Sequence, residues 1–246
     1  MTQETRSLRL GQRGHSSTST KELLRSVTPT RRLELRGGDT LHLLVLGCTW
    51  DDTTCVDLAS GALVRLRVPW PANHPPDLAA FDVIEATLAQ DPEADDLALP
   101  EMATVEELPR QVGTLRGRVV RKMLQRLQAP IDGPLLGFRG PSAPYWEFNG
   151  DRPSAALIVA SRGPQLLRRR EDGSTWVRFG WERDDVWLAC ADAHASRSLD
   201  AARREILAGK DLATALGYKP HYLLTALSKP VEGHCYKTCV GILPRG

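Results

Sequence analysis

The apolar residues of this chain come in short runs, each ended by a turn signal. That punctuation limits what the chain can fold into more than any other feature. Residues 41–49 are strongly apolar; Trp50-Asp51-Asp52-Thr53 turns the chain; residues 54–58 return it; Ala59-Ser60-Gly61 turns it into 63–68. Extended segments separated by Gly, Asp and Ser turns predict a meander that curls into a sheet or a small barrel. A second such series follows residue 150. Residues 155–160 read as a buried strand, and 165–170 and 174–181 flank Asp172-Gly173, the strongest short hairpin signal in the chain. Residues 186–191 continue it, and 221–227 with 235–243 form a final hairpin around Pro230 and Gly233.

Helices are inserted between these runs. Residues 114–128 carry Val119, Val120, Met123, Leu124 and Leu127 on one stripe, with Arg116, Arg118, Arg121, Lys122 and Arg126 around the rest. Ser198 can cap a helix running to about Ala208, and 211–216 is one or two further turns stopped at Gly217. Residues 78–90 fit either a helix capped by Asp77 or a strand through Phe81. The expected fold class is therefore α+β and mostly antiparallel β. It comprises an N-terminal small sheet or barrel-like module and a C-terminal β-meander with two or three helices. Strands do not alternate regularly with helices, so a doubly wound fold is excluded, and no internal repeat is visible at a fixed period.

The expected organisation is a flexible basic tail over 1–30, a small β module with an acidic connection over 31–109, and an α+β module over 110–246. Charge is segregated along it. Residues 1–36 hold eight Lys or Arg against three acids, 77–109 hold ten acids and no base, and 110–128 hold six bases and no acid. Neighbouring elements with such blocks complement one another or face a charged partner. The net charge of +2 argues against a surface that is basic throughout. With 41% apolar and 25% charged residues, the chain is neither collagen-like, coiled-coil, wholly disordered nor a disulfide knot. No apolar run is long enough to span a membrane, so no membrane partner is expected. Five cysteines without an export signal suggest free thiols, a reducing compartment and a cytoplasmic location.

Dinucleotide, phosphate-loop, nucleophile-elbow and zinc-protease signatures are absent. Cys190-x3-His194 with Cys235-x3-Cys239 has the ligand types for a structural Zn²⁺, but geometry opposes it. On one strand, Cys235 and Cys239 lie about 13 Å apart at ~3.3 Å per residue, whereas two sulfurs on one zinc are within about 4.6 Å. No cofactor is therefore expected. His234 cannot serve Cys235 as a base, because strand neighbours point to opposite faces. A two-residue loop at Asp51-Asp52 would set Cys48 opposite Cys55, and there they read as two small apolar residues in a sheet.

Aromatics and arginines interleave in the second β run. Trp176 and Arg178 share one strand face, and Val177, Phe179 and Trp181 the other, with Arg168, Arg169 and Arg170 nearby. Rings on a sheet beside guanidiniums can stack bases while the cations hold phosphates. The reading is a non-catalytic binding protein, engaging nucleic acid or an acidic protein through these arginines and the basic helix, alone or as a subunit of a larger assembly. Its alternative is an enzyme without a short signature, its cleft near Cys190, Asp192, His194, His221 and His234.

Overall fold

The long apolar run near the start forms strand β1 (Thr40–Cys48), and its continuous hydrophobicity has a structural cause. Leu43, Val45 and Cys48 point into one core while Leu44 and Leu46 enter another, so both faces are buried. The structure is a computed structural model and describes residues 35–71, 77–93, 98–148 and 153–246. The basic tail over 1–30 lies outside the described residues.

Five further strands complete the first sheet: β2 (Asp52–Asp57), β3 (Leu63–Arg67), β4 (Asp82–Glu93), β5 (Met102–Val105) and β6 (Arg110–Thr114). Their order is β1-β2-β3-β5-β4-β6, and β1 also pairs with β4, which closes a five-stranded barrel. Every pairing is antiparallel except β3 with β5. This is the Greek-key barrel of the OB type. Leu43, Val45, Cys55, Val64, Leu66, Ile84, Leu88 and Val105 fill its interior.

The second sheet holds β8 (Ala155–Ile158), β9 (Arg162–Arg168), β10 (Thr175–Trp181), β11 (Asp184–Cys190), β12 (Ile206–Ala208), β13 (Tyr222–Leu227) and β14 (His234–Leu243), ordered β12-β9-β10-β11-β14-β13-β8. A short β7 (Ser142–Pro144) leans on β14. The sheet reproduces the first topology. Strands β8 and β9 are consecutive, joined by residues 159–161, and share the task that β1 performs alone. The first piece pairs with β13 and the second with β10, as the two halves of β1 pair with β4 and β2. The third and fifth strands of the unit, β11 and β14, are again the parallel pair. Helices α2 (Ala193–Ala202) and α3 (Gly209–Leu216) fill the crossover from β11 to β13, and α1 (Arg118–Leu127) joins the two units.

The units are fastened at two places. Where β1 crosses β14, backbone meets backbone: a Cβ on Gly47 would lie 2.2 Å from the carbonyl oxygen of Val240. Only glycine allows that approach. Beside it, the outer face of β2 and β3 is sealed by the second unit. Arg65, 2% exposed, donates to Asp52 at 2.7 Å, to the Ser154 hydroxyl at 3.1 Å and to the Leu227 carbonyl at 3.0 Å. Ser154 donates its hydroxyl to Glu101 at 2.6 Å, and burial pushes the Glu101 carboxyl above its ordinary value. Val56 and Leu63 of the same face join the second core.

The mostly antiparallel α+β expectation holds at this level, and the barrel-like N-terminal module is a closed barrel. Several local expectations are corrected. The ambiguous 78–90 segment supplies strand β4, not a helix. Within the acidic stretch, Ala98, Leu99, Met102 and Val105 are buried and β5 forms the parallel pair, so residues 98–105 are core rather than surface connection. The β1–β2 loop is Trp50-Asp51, one residue earlier than expected, because the Thr49 hydroxyl accepts the N–H groups of Asp51 and Asp52 at 3.1 and 2.9 Å. Cys48 consequently faces Thr53, and Cys55 faces Val45 across a bulge. Helix α1 begins at Arg118, because Thr114 ends strand β6. Val119 is exposed and the buried stripe is Val120, Leu124 and Leu127. Helix α2 is capped by Asp192, not Ser198, whose hydroxyl donates to the His194 carbonyl inside the helix. Residues 206–208 form β12 instead of continuing that helix.

Candidate functional site

In the second unit the face equivalent to the sealed one is open. Strands β10 and β11 pair with Arg178 opposite Trp187 and Trp176 opposite Ala189. Alternation along β10 sends Val177, Phe179 and Trp181 into the core and leaves Trp176 and Arg178 outside, both half-buried. Trp187 is 46% exposed. The Arg178 guanidinium lies 5.0 Å from the Trp187 ring centroid and that of Arg169 lies 5.6 Å from Trp176. Two indoles, each with a guanidinium over its face, thus share one sheet surface. The Trp176 indole N–H donates to the Ser174 hydroxyl at 2.8 Å, which fixes the first ring.

The arginines here are not the free cations that the sequence reading supposed. Arg168 pairs with Asp200 from α2, and Arg170 pairs with Glu205, which precedes β12. Arg169 reaches Glu171 at 3.1 Å and Asp172 at 3.8 Å. Arg178 meets Asp185 at 2.7 Å, and Asp185 also accepts from the Trp187 indole at 3.3 Å and faces Arg162 at 3.5 Å. The reason is that β12 docks on β9 and brings α2 and its following turn alongside the hairpin. Arg178 holds the Asp185 carboxyl below its ordinary value, and the Ser174 hydroxyl and N–H hold Asp172 low. These pairs are solvent-exposed, where such contacts are weak.

The cations on and just before the linking helix differ. Arg116, Arg118, Lys122 and Arg126 are exposed, and among the described residues none pairs with a carboxylate, those of 77–109 included. Arg121 donates to the Gly246 carbonyl at 3.1 Å.

The alternative catalytic set does not assemble. Asp192 and His194 line one cleft between the units, but Cys190 is turned inward beside Cys239, its direct partner on β14. His221 lies edge-on to Tyr222, and His234 packs between Trp146 and Tyr236. Burial pushes the Cys48 thiol up to about 12, and Cys190, through its contact with Cys239 and its burial, is raised well above its ordinary value. Thiols so protonated are poor nucleophiles. Of the zinc set, Cys190 and Cys239 adjoin, while Cys235 is four positions along an extended strand. Among the described residues no three His, Cys, Asp or Glu gather for a metal.

Two features escaped the sequence. Lys237 is buried, donates to the Phe138 carbonyl at 2.6 Å, and sits 4.0 Å from that ring's centroid, with burial lowering its amine to about 8. It stands in a groove of about 1200 Å³ that also includes Trp181, Arg183, Trp187 and Arg139. No local signal marks it, since its partner is 99 residues away. The other is a cluster of exposed rings, Tyr145, Trp146 and Tyr236, around His234.

No family model matches this chain, and no curated protein matches it. Among solved structures, the p204 HINb domain covers 83% of this chain and 97% of its own length, at 11% identity and a TM-score of 0.31. A likeness that loose carries no argument. No helix among the described residues is long and apolar enough to cross a membrane.

Proposed function

We propose that the protein is a non-catalytic binding protein for single-stranded nucleic acid, and that the strand lies across the outer face of β10 and β11. One observation carries this reading. Of two topologically equivalent sheet faces, the first is sealed by Arg65 and its partners, and the second is open and bears Trp176 and Trp187 beneath guanidiniums. The strand 2–3 face of an OB barrel is where oligonucleotides bind. Base stacking on indole is sequence-tolerant, and arginine supplies bidentate phosphate contacts. An acidic protein would use the same cations, but the flat faces of two indoles suit stacked bases. The groove beside Trp187 extends the path.

The direct test is photocross-linking with a strand carrying 5-iodouridine, read by peptide mapping. Adducts are expected on Trp176 or Trp187. Adducts confined to the first barrel, or none above those of a bulk control protein, contradict the assignment.

A further inference from the structure

A second site lies away from the β10–β11 face. Between β1 and the α2–α3 layer opens a cleft of about 620 Å³, within the range of small-molecule sites. Its charge is one-sided. Arg116, Arg197, Lys219 and Arg245 line it against one carboxylate side chain, Asp192. That carboxylate is spent on the fold. It accepts the N–H groups of His194 at 2.9 Å, Ala195 at 3.2 Å and Ile242 at 2.9 Å, which tie α2 to β14. Among the described residues, Arg116, Lys219 and Arg245 meet no carboxylate. Their field is felt nearby: His221 is held below its ordinary value by burial, then by Arg245 and Lys219.

The rest of the lining is apolar or flat. Leu78, Leu216 and Ile242 contribute aliphatic surface, and the His194 imidazole stacks on Tyr218 at 6.0 Å between centroids and 20° between planes. Phe81, also in the wall, is buried at φ 75°, a conformation an aromatic residue rarely adopts. It is held there by its N–H donating to the Val45 carbonyl and its carbonyl accepting from Leu115. A cleft with unneutralised guanidinium and ammonium groups and flat apolar walls selects an anion that has a planar body.

We infer that the cleft binds a nucleoside phosphate, its phosphate held by Arg116, Lys219 and Arg245 and its base placed against Phe81 and the His194–Tyr218 pair. The ligand is either a free nucleotide or the terminal nucleotide of a phosphorylated strand. The proposal does not require the strand-binding face, and its test needs no strand.

The full chain is titrated calorimetrically with AMP, with adenosine and with inorganic phosphate. AMP is expected to bind at least about tenfold more tightly than either fragment, a gap of about 1.4 kcal/mol. The double substitution Lys219→Ala with Arg245→Ala is expected to weaken AMP at least about tenfold. Both side chains are exposed, so an unchanged melting temperature shows that the variant is folded. Trp187→Ala should leave AMP binding intact, which separates this site from the strand-binding face. A 5′-phosphorylated oligonucleotide that displaces AMP where its 5′-hydroxyl counterpart does not identifies the strand end as source; displacement by neither identifies the free nucleotide. Absence of saturable AMP binding, AMP binding indifferent to the double substitution, or inorganic phosphate binding as tightly as AMP overturns the inference.

Discussion

Arg65→Met is expected to cost about 3–5 kcal/mol of folding stability, the usual penalty for removing one partner of a buried ion pair. Asp52 would lose its 2.7 Å partner inside the buried joint between the two units. The Ser154 hydroxyl and the Leu227 carbonyl lose their donor in the same step. Replacing both charges, Arg65→Met with Asp52→Leu, should recover much of the loss, because desolvating the pair offsets most of its attraction. Urea unfolding measures this; a cost below about 1 kcal/mol for the single variant would mean the joint is not dry.

The same joint carries a pH signature. Burial raises the folded value of Glu101, so its contribution is fully present below the ordinary carboxylate range and is lost as pH rises through the raised value. Arg65 opposes that rise, so Arg65→Met should extend the declining limb to higher pH. Glu101→Gln should flatten it.

Trp176→Ala and Trp187→Ala together are expected to weaken single-strand binding by about 1–3 kcal/mol per ring, the range for one stacked base. That is about 5- to 150-fold for each substitution if the two act independently. Arg178→Ala should weaken binding less, since the Asp185 contact already occupies part of that guanidinium. Because Trp187 is 46% exposed, its removal should change stability little, so a loss of affinity with unchanged unfolding assigns the ring to the ligand. Trp181, turned inward with its indole N–H on the Gly133 carbonyl, is the contrasting case and should cost stability instead.

What the sequence allowed to be read follows from how local each feature is. The alternation that puts Trp176 and Arg178 outside and Val177, Phe179 and Trp181 inside is a property of one strand, and it survives folding. So do the hairpin at Asp172-Gly173 and the helix stop at Gly217. Strand β4 was ambiguous because its first half, Val83 and Ile84 included, is buried on both faces, which erases the period-two signal. Strand β5 was hidden in an acidic stretch because Glu101 is buried, where a carboxylate is read as surface by default. The ion pairs of Arg168 and Arg170 join residues 32 and 35 positions apart, so the hairpin looked freer in sequence than it is. The repeated topology shares strand order and the parallel pair but no residue pattern. The inter-unit cleft draws on segments from Val45 to Gly246, and no window of sequence contains it.

The most direct measurement is the affinity of the full chain for a short homopolymeric strand, followed by fluorescence anisotropy as salt is raised from about 50 to about 200 mM. Phosphate contacts from Arg162, Arg169 and Arg178 predict a log–log slope of about −2 or steeper, together with a residual salt-insensitive part that vanishes when Trp176 and Trp187 are removed. Affinity that does not change with salt, or that survives loss of both indoles, would contradict strand binding on the β10–β11 face.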